Sequence, residues 1–273
     1  MPAVKLQTHR VDKPWGRHTL FPGFPDPAPD AEPVGEVWFQ QPGDTTPDLL
    51  IKYLFTGEKL SVQVHPDDDQ AHARGLPRGK DECWTVLTAE PGAVIALGTK
   101  EPIGEDELRA AARDGSIEEL LHWQPVKAGD FYYCASGTIH AIGGGLTVIE
   151  IQQNSETTYR LYDYGSDREL HLEDGVAVAR LEPYRPIASP GPAGDGRTVL
   201  VEGPKFVLER WSAGREVALP EGTTGWLVPV KGAGEVAGVP FHEGECVTVT
   251  GSERVTAGEG ADLLFAYPGT RRV

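Results

Sequence analysis

The sequence predicts an all-β fold interrupted by one short helical insertion, and three observations lead there. The 33 glycines and 23 prolines are spread along the 273 residues between short apolar runs, which is how turns punctuate many short strands. From Leu49 to Leu97 apolar stretches alternate with turn-rich pieces such as Phe55-Thr56-Gly57-Glu58, the rhythm of a sandwich or barrel. Only between Gly104 and His122 does the composition shift to Glu, Ala, Arg and Leu, the residues that favour helix.

In chain order, the run Leu60-Ser61-Val62-Gln63-Val64-His65 alternates, so as a strand it sets Ser61, Gln63 and His65 on one face and the apolar residues on the other. Glu82 lies on the next strand candidate. The helical insertion breaks at Asp114-Gly115 and restarts with Ser116 and Glu119 spaced as a capping box, which predicts two short helices. Strand pattern resumes at Phe131 to Cys134 and at Leu146 to Gln152, and His140 follows the turn Ser136-Gly137-Thr138 between them. The Pro/Gly-rich stretch Arg185 to Arg197 (RPIASPGPAGDGR) predicts a linker, dividing the chain into domains 1–188 and 189–273.

The second segment resembles a faded copy of the first. Gly214 corresponds to Gly57, GWLVPVKGAG to ECWTVLTAEPG, and GECVTVTGSERV to GDFYYCASGTIH. Gly225 then stands where the first copy has Glu82, and Val255 where it has His140, so the second copy is expected to be a β domain without metal ligands.

Charge and cysteine content narrow the function. A net charge of -16 argues against a nucleic-acid or anionic-membrane surface, and allows an anionic small substrate only in a locally basic pocket. Cys83, Cys134 and Cys246 are odd in number and lack zinc-motif spacing, which favours a reducing setting. The N-terminal stretch MPAVKLQTHRVDKPWG has no signal-peptide core, and no run approaches the about 18 apolar residues of a membrane span, so a soluble, cytoplasmic protein is expected.

Gln63, His65, Glu82 and His140 together offer two imidazoles, one carboxylate and one amide oxygen. This set suits one Zn²⁺ per chain and tolerates Fe²⁺, Co²⁺ or Mn²⁺. A lone histidine is more often structural, as expected for the surface residues His72 and His122, but four donors at this spacing point to a metal. Gln63 is the weakest donor of the four.

These residues carry a resemblance. Gly57 followed by five residues and Gln63-Val64-His65, then Glu82, then Gly129 followed by five residues and Ala135-Ser136-Gly137-Thr138-Ile139-His140 is similar to the cupin signature. QVHPDD at 63–68, GKDECW at 79–84, AGDFYYCASGTIHAIGGG at 128–145 and EIQQNSETTYRLYDYG at 150–165 resemble, in order, the motifs of the type I mannose-6-phosphate isomerase family. Ala135 departs from the family's usual proline. The resemblance implies a cupin (double-stranded β-helix or jelly-roll) barrel with a second, degenerate cupin-like β domain. It also implies a metal-dependent aldose–ketose isomerase that interconverts mannose 6-phosphate and fructose 6-phosphate through an enediol. Its partner would be a small sugar phosphate.

The same resemblance makes Glu150 the candidate proton-transfer group, a role that suits a carboxylate in a partly desolvated barrel. The alternative for Glu150 is to orient a ligand or pair with Arg160. Arg160, in the TYRLYD motif, is implied to be catalytic and substrate-binding; its alternative is a salt bridge with Asp163. Lys80 and Lys52 match family lysines near the substrate, Lys80 as both catalytic and substrate-binding, and an exposed strand position remains open for Lys52. Two other readings stand beside the isomerase: a cupin oxidoreductase or decarboxylase, and a sugar-binding cupin without activity.

Overall fold

Two strands, Leu49–Thr56 and Leu146–Gln153, are buried along their whole length, so both faces of the sheet they centre must be covered. The computed structural model describes residues 1–41, 43 and 46–272. The first half begins with β1 (Ala3–Lys5), β2 (Gln7–Arg17), β3 (Val34–Gln40), β4 (Leu49–Thr56), β5 (Val62–Val64) and α1 (Asp68–His72). It continues through β6 (Glu82–Ala89), β7 (Val94–Thr99), α2 (Glu105–Asp114), α3 (Ile117–Leu120), β8 (Leu121–Pro125) and β9 (Phe131–Cys134). It closes with β10 (His140–Ile142), β11 (Leu146–Gln153), β12 (Tyr159–Tyr162) and α4 (Leu172–Val178). The second half runs β13 (Gly191–Gly194), β14 (Arg197–Glu202), β15 (Phe206–Trp211), β16 (Arg215–Ala218) and β17 (Thr224–Lys231). Last come β18 (Ala233–Val236), β19 (Val239–His242), β20 (Val247–Thr250), β21 (Ser252–Ala257) and β22 (Asp262–Pro268).

A six-stranded sheet, β2-β3-β4-β11-β6-β9, faces a five-stranded sheet, β12-β5-β10-β7-β8. Between them Leu54, Trp84, Val86, Ile95, Leu97, Ile142 and Val148 form an inner core at one side of the site. On its other face the six-stranded sheet lays Val37, Phe39, Ile51, Tyr53, Phe55, Ile149 and Ile151 against Phe206, Leu208, Trp226, Val228 and Leu264 of a seven-stranded sheet. That is the second cover the buried strands require. The outer face of the five-stranded sheet packs Val62, Val64, Ala141 and Leu161 on α2, α3 and α4 through Leu108, Ile117 and Val176.

The internal copy is real at the level of topology. The seven-stranded order β13-β14-β15-β22-β17-β20 repeats β2-β3-β4-β11-β6-β9 strand for strand, with β1 added at the edge, and β16-β21-β18-β19 repeats β5-β10-β7-β8. Val255 pairs with Arg215 as His140 pairs with Gln63. The second interior is mostly apolar, built from Trp211, Leu227, Val249, Val255 and Phe265, with Glu209 buried in it as the acceptor of Trp211 Nε1 at 2.8 Å and the Tyr267 hydroxyl at 2.9 Å. A Cβ at Gly225 would lie 2.3 Å from the Phe265 ring, so that ring occupies the volume a side chain on this strand would need. The all-β class with a helical insertion and a degenerate second β unit is therefore as expected.

Two local expectations are corrected. The helices do part at Gly115, whose φ of 86° ends α2, but Ser116 forms no side-chain cap; its hydroxyl donates to Asp114 at 2.7 Å instead. The insertion also ends earlier than His122, which stands exposed on β8. The second half of the expected linker is a hairpin, β13 to β14, because Asp195 and Gly196 both take positive φ and turn the chain tightly. Among the described residues no helix is long and apolar enough to cross a membrane.

The shared core between the six- and seven-stranded sheets makes truncation costly. A chain ending at residue 188 should expose the Phe39, Tyr53 and Phe55 face and leave β1 without β20. It is expected to aggregate or to bind a hydrophobic dye strongly; a soluble, cooperatively melting 1–188 fragment would show that the halves fold separately.

Candidate metal centre and its cleft

Register brings the site together. Arg160 pairs with Gln63, Gln63 with His140, and His140 with Leu97, so these four side chains form a row on the inner face of the five-stranded sheet. Opposite, Gln152 pairs with Glu82, and one step along Trp38, Lys52, Glu150 and Trp84 line up across β3, β4, β11 and β6. The two rows face each other across the barrel.

His65, Glu82 and His140 meet at its centre, each buried to within 1 % of full. His140 Nε2 lies 3.0 Å from Glu82 Oε1 and His65 Nε2 lies 3.4 Å from Glu82 Oε2. Each imidazole spends its other nitrogen on a backbone carbonyl, His65 Nδ1 on Thr157 at 2.9 Å and His140 Nδ1 on Thr138 at 2.9 Å. A carbonyl can only accept, so each Nδ1 carries a hydrogen, and Nε2 is the nitrogen each ring turns toward the cluster. Burial, with Lys80 adding to it, pushes the His65 pKa down to about 3, which keeps this ring neutral.

Burial alone would raise the Glu82 carboxyl, but Lys80, His65 and His140 hold it well below the usual carboxylate range. Neither of its oxygens has an aligned hydrogen bond among the described residues. A buried, ionised carboxylate flanked by two imidazole Nε2 atoms is what a divalent cation would complete, so the donor set fits a metal. Gln63 completes the set by position: its Nε2 lies 3.2 Å from His140 Nε2, while Ser61 Oγ donates to its Oε1 at 3.2 Å.

Lys80 reaches the same point, with Nζ 3.1 Å from Glu82 Oε2 and 3.3 Å from His65 Nε2. Burial would lower its pKa, yet Glu82 and Glu150 raise it above the ordinary value, so the ammonium persists. Lys52 is buried, not exposed. It sits between Glu36 at 3.5 Å and Glu150 at 3.6 Å, with its ammonium 4.6 Å from the Trp38 ring centre. Glu150 also accepts from Trp84 Nε1 at 3.4 Å, and burial pushes its pKa up to about 7 against the opposing charge of Lys52. Arg160 lines the cleft with its guanidinium unpartnered among the described residues, because Asp163 is taken by Arg168 at 2.6 Å.

The cleft over these groups has a volume of about 270 Å³. Lys13, Glu36, Trp38 and Arg168 are among the lining residues that the sequence analysis did not single out. Glu36 carries a readable signal as the one charged residue of Val34–Gln40, while Val37 and Phe39 on either side of Trp38 enter the opposite core. Arg168 carries none, because it stands in a loop whose direction no period fixes.

No family model matches the chain. Mannose-6-phosphate isomerase of Streptococcus mutans is 41 % identical over 193 residues, 67 % of this chain and 60 % of that protein. The chain thus spans less than two thirds of that relative's length. Mannose-6-phosphate isomerase ManA of Bacillus subtilis is 38 % identical over 222 residues, 76 % of this chain and 70 % of that one. Among solved structures, the mannose 6-phosphate isomerase of Bacillus subtilis superposes with a TM-score of 0.81 at 28 % identity, covering 97 % of this chain and 99 % of that chain. A zinc-bound mannose 6-phosphate isomerase reaches a TM-score of 0.72 at 15 % identity over 98 % of this chain and 100 % of that chain, a likeness of fold alone.

Removing His140 takes one of two imidazole nitrogens away from Glu82. His140→Ala should therefore lower metal affinity by a large factor while the protein stays folded, read as metal content after gel filtration and as the concentration of chelator that strips it. Full metal occupancy in that variant would take His140 out of the ligand set.

Proposed function

The chain belongs to the mannose-6-phosphate isomerase family, and from that premise we propose that it interconverts mannose 6-phosphate and fructose 6-phosphate in this cleft. The observation that carries the reading is the meeting of the buried His65–Glu82–His140 cluster with a near-neutral carboxylate, Glu150, and an unpartnered Arg160. One divalent cation, with zinc as the first candidate, would be held by Gln63, His65, Glu82 and His140. Half a turn of the Gln63 amide would present its oxygen. When bound, the ion would supply Lewis-acid polarisation of the sugar carbonyl and offset negative charge on the neighbouring oxygens.

The remaining work falls to side chains. The Glu150 carboxylate takes the proton from C2 of the aldose and returns it to C1, and the hydroxyl proton on O2 passes to O1. The enediol thus links aldose and ketose with no net change of electrons. A carboxyl with a pKa near the working pH suits both directions of that transfer. Lys52, 3.6 Å from Glu150, steadies its charged form and fixes its position. Arg160 offers a fork of donors to the oxygens that gain charge. Lys80 holds a permanent positive charge at the cluster, where it draws in an anionic substrate and contacts its oxygens.

We assign the metal site to residues 1–188, with 189–273 as a metal-free cover. The three buried, free cysteines support a reducing, cytoplasmic setting. The direct test is fructose 6-phosphate formation from mannose 6-phosphate before chelation, after it, and after metal is restored. Activity that survives complete metal removal, or a metal-loaded protein inert on mannose 6-phosphate, would overturn the proposal.

Glu150→Gln should lower kcat by on the order of 10²- to 10⁴-fold with metal content retained, as for loss of an acid/base group. In the unaltered protein kcat should fall as pH drops through the Glu150 pKa of about 7, or somewhat lower once a cation is near, because the protonated carboxyl is no longer a base for the C2 proton. A pH profile flat down to pH 5 would remove Glu150 from that role.

Arg160→Ala should lower kcat by on the order of 10²-fold, since contacts to developing charge are stronger in the transition state. Lys80→Ala should chiefly raise KM. The reverse pattern, with KM rising for Arg160→Ala and kcat falling for Lys80→Ala, would exchange the two roles.

A further inference from the structure

We propose that Asp81 is a positioning residue for the metal centre, acting through the turn that carries His140; this rests on the metal reading of the cluster. Asp81 precedes Glu82 directly and is 2 % exposed, yet points away from the cluster. Its Oδ1 accepts from the Ser136 backbone N–H at 3.0 Å and from the Ser136 hydroxyl, and its Oδ2 accepts from Tyr133 at 2.6 Å. One carboxylate thereby clamps both the end of β9 and the 135–138 turn.

That turn reaches both histidines. Its Thr138 carbonyl accepts from His140 Nδ1 at 2.9 Å and sets the ring's tautomer, while its Gly137 N–H donates to the His65 carbonyl at 2.8 Å. All three residues of the buried cluster are therefore one covalent or hydrogen-bonded step from what Asp81 holds. Ala135 opens this turn where the family resemblance expects proline, so the backbone there lacks a locked φ. A charge-assisted, buried clamp supplies the missing rigidity.

The clamp is itself anchored from the second half of the chain. Asp81 N–H donates to Gln153 Oε1 at 2.9 Å, and Gln153 Nε2 donates to Asp68 Oδ1 at 3.0 Å. Asp68 also accepts from Gly79 N–H at 2.7 Å and from Lys205 Nζ at 2.6 Å. Lys205 follows β14, so the metal-free half of the molecule helps hold the ligands of the other half in place.

The test is chelator competition for bound Zn²⁺, run beside thermal melting of the metal-free proteins. Asp81→Ala should weaken metal affinity by about 10- to 100-fold, the range for lost supporting contacts around metal ligands. Asp81→Asn, which keeps an acceptor for both Ser136 donors, should recover most of that loss. Should Asp81→Ala fail to fold, Ser136→Ala decides, with a several-fold loss of affinity expected. Unchanged affinity in a folded Asp81→Ala or Ser136→Ala protein, with only the metal-free melting temperature lowered, would make the clamp merely structural and overturn the inference. An unaltered protein that takes up no metal would instead overturn the metal reading, and this inference with it.

Discussion

A buried, charged carboxylate is the constraint on which this molecule depends. Glu82 is wholly buried, ionised and, among the described residues, lacks an aligned hydrogen bond. Removing an ion from water costs several kcal/mol even after relaxation, unless opposite charge and directed donors offset it. The surroundings of Glu82 answer that cost in layers. Lys80 supplies charge at 3.1 Å, the two imidazoles supply polar neighbours, and a bound cation would supply the rest. Outside them, backbone carbonyls hold each ring by Nδ1 so that Nε2 faces the centre.

Such a centre needs strands that do not move, and the fold provides them by duplication. The six-stranded sheet has a reactive face and an apolar face, and the second copy of the barrel covers the apolar one. That copy has the same strand order but fills its own interior with Phe265, Val255 and Trp211. The His–Glu–His cluster thus lies in one interior, while the other is mostly apolar around the buried Glu209. The interior without a site can be packed as a core, and its rigidity is passed on through the shared layer and through Lys205.

How much of this was legible in the sequence follows from what period and register each determine. Alternation alone set Gln63 and His65 on one face, and short apolar runs gave Phe131–Cys134 and nearly all of Leu146–Gln153. The pairing of Glu150 with Lys52 and Trp84 depends on register between strands about 100 and 66 residues apart in sequence, which no local pattern encodes. For that reason the Trp38–Lys52–Glu150–Trp84 row could not be seen, even though Lys52 and Glu150 were each singled out. Ser116 shows the opposite failure: a capping box was written in the sequence, but Gly115 turned the chain so tightly that the hydroxyl found Asp114 first. Asp81 was hidden because its partners, Ser136 and Tyr133, lie more than 50 residues away.

Charge distribution then links the site to its substrate class. The chain as a whole carries -16, so an anion approaching at random is repelled. Within the cleft the balance reverses: Lys13, Lys52, Lys80, Arg160 and Arg168 face only Glu36, Glu82, Glu150 and Glu156. A divalent cation would add two further positive charges at the floor. Low-dielectric walls of Trp15, Leu54 and Ile142 strengthen that local field where salt screens least. An acidic surface around one basic, metal-bearing cleft favours small anions that can enter it and disfavours extended polyanions, which would have to lie across the surface as well. A phosphorylated hexose, the substrate class proposed above, meets that condition.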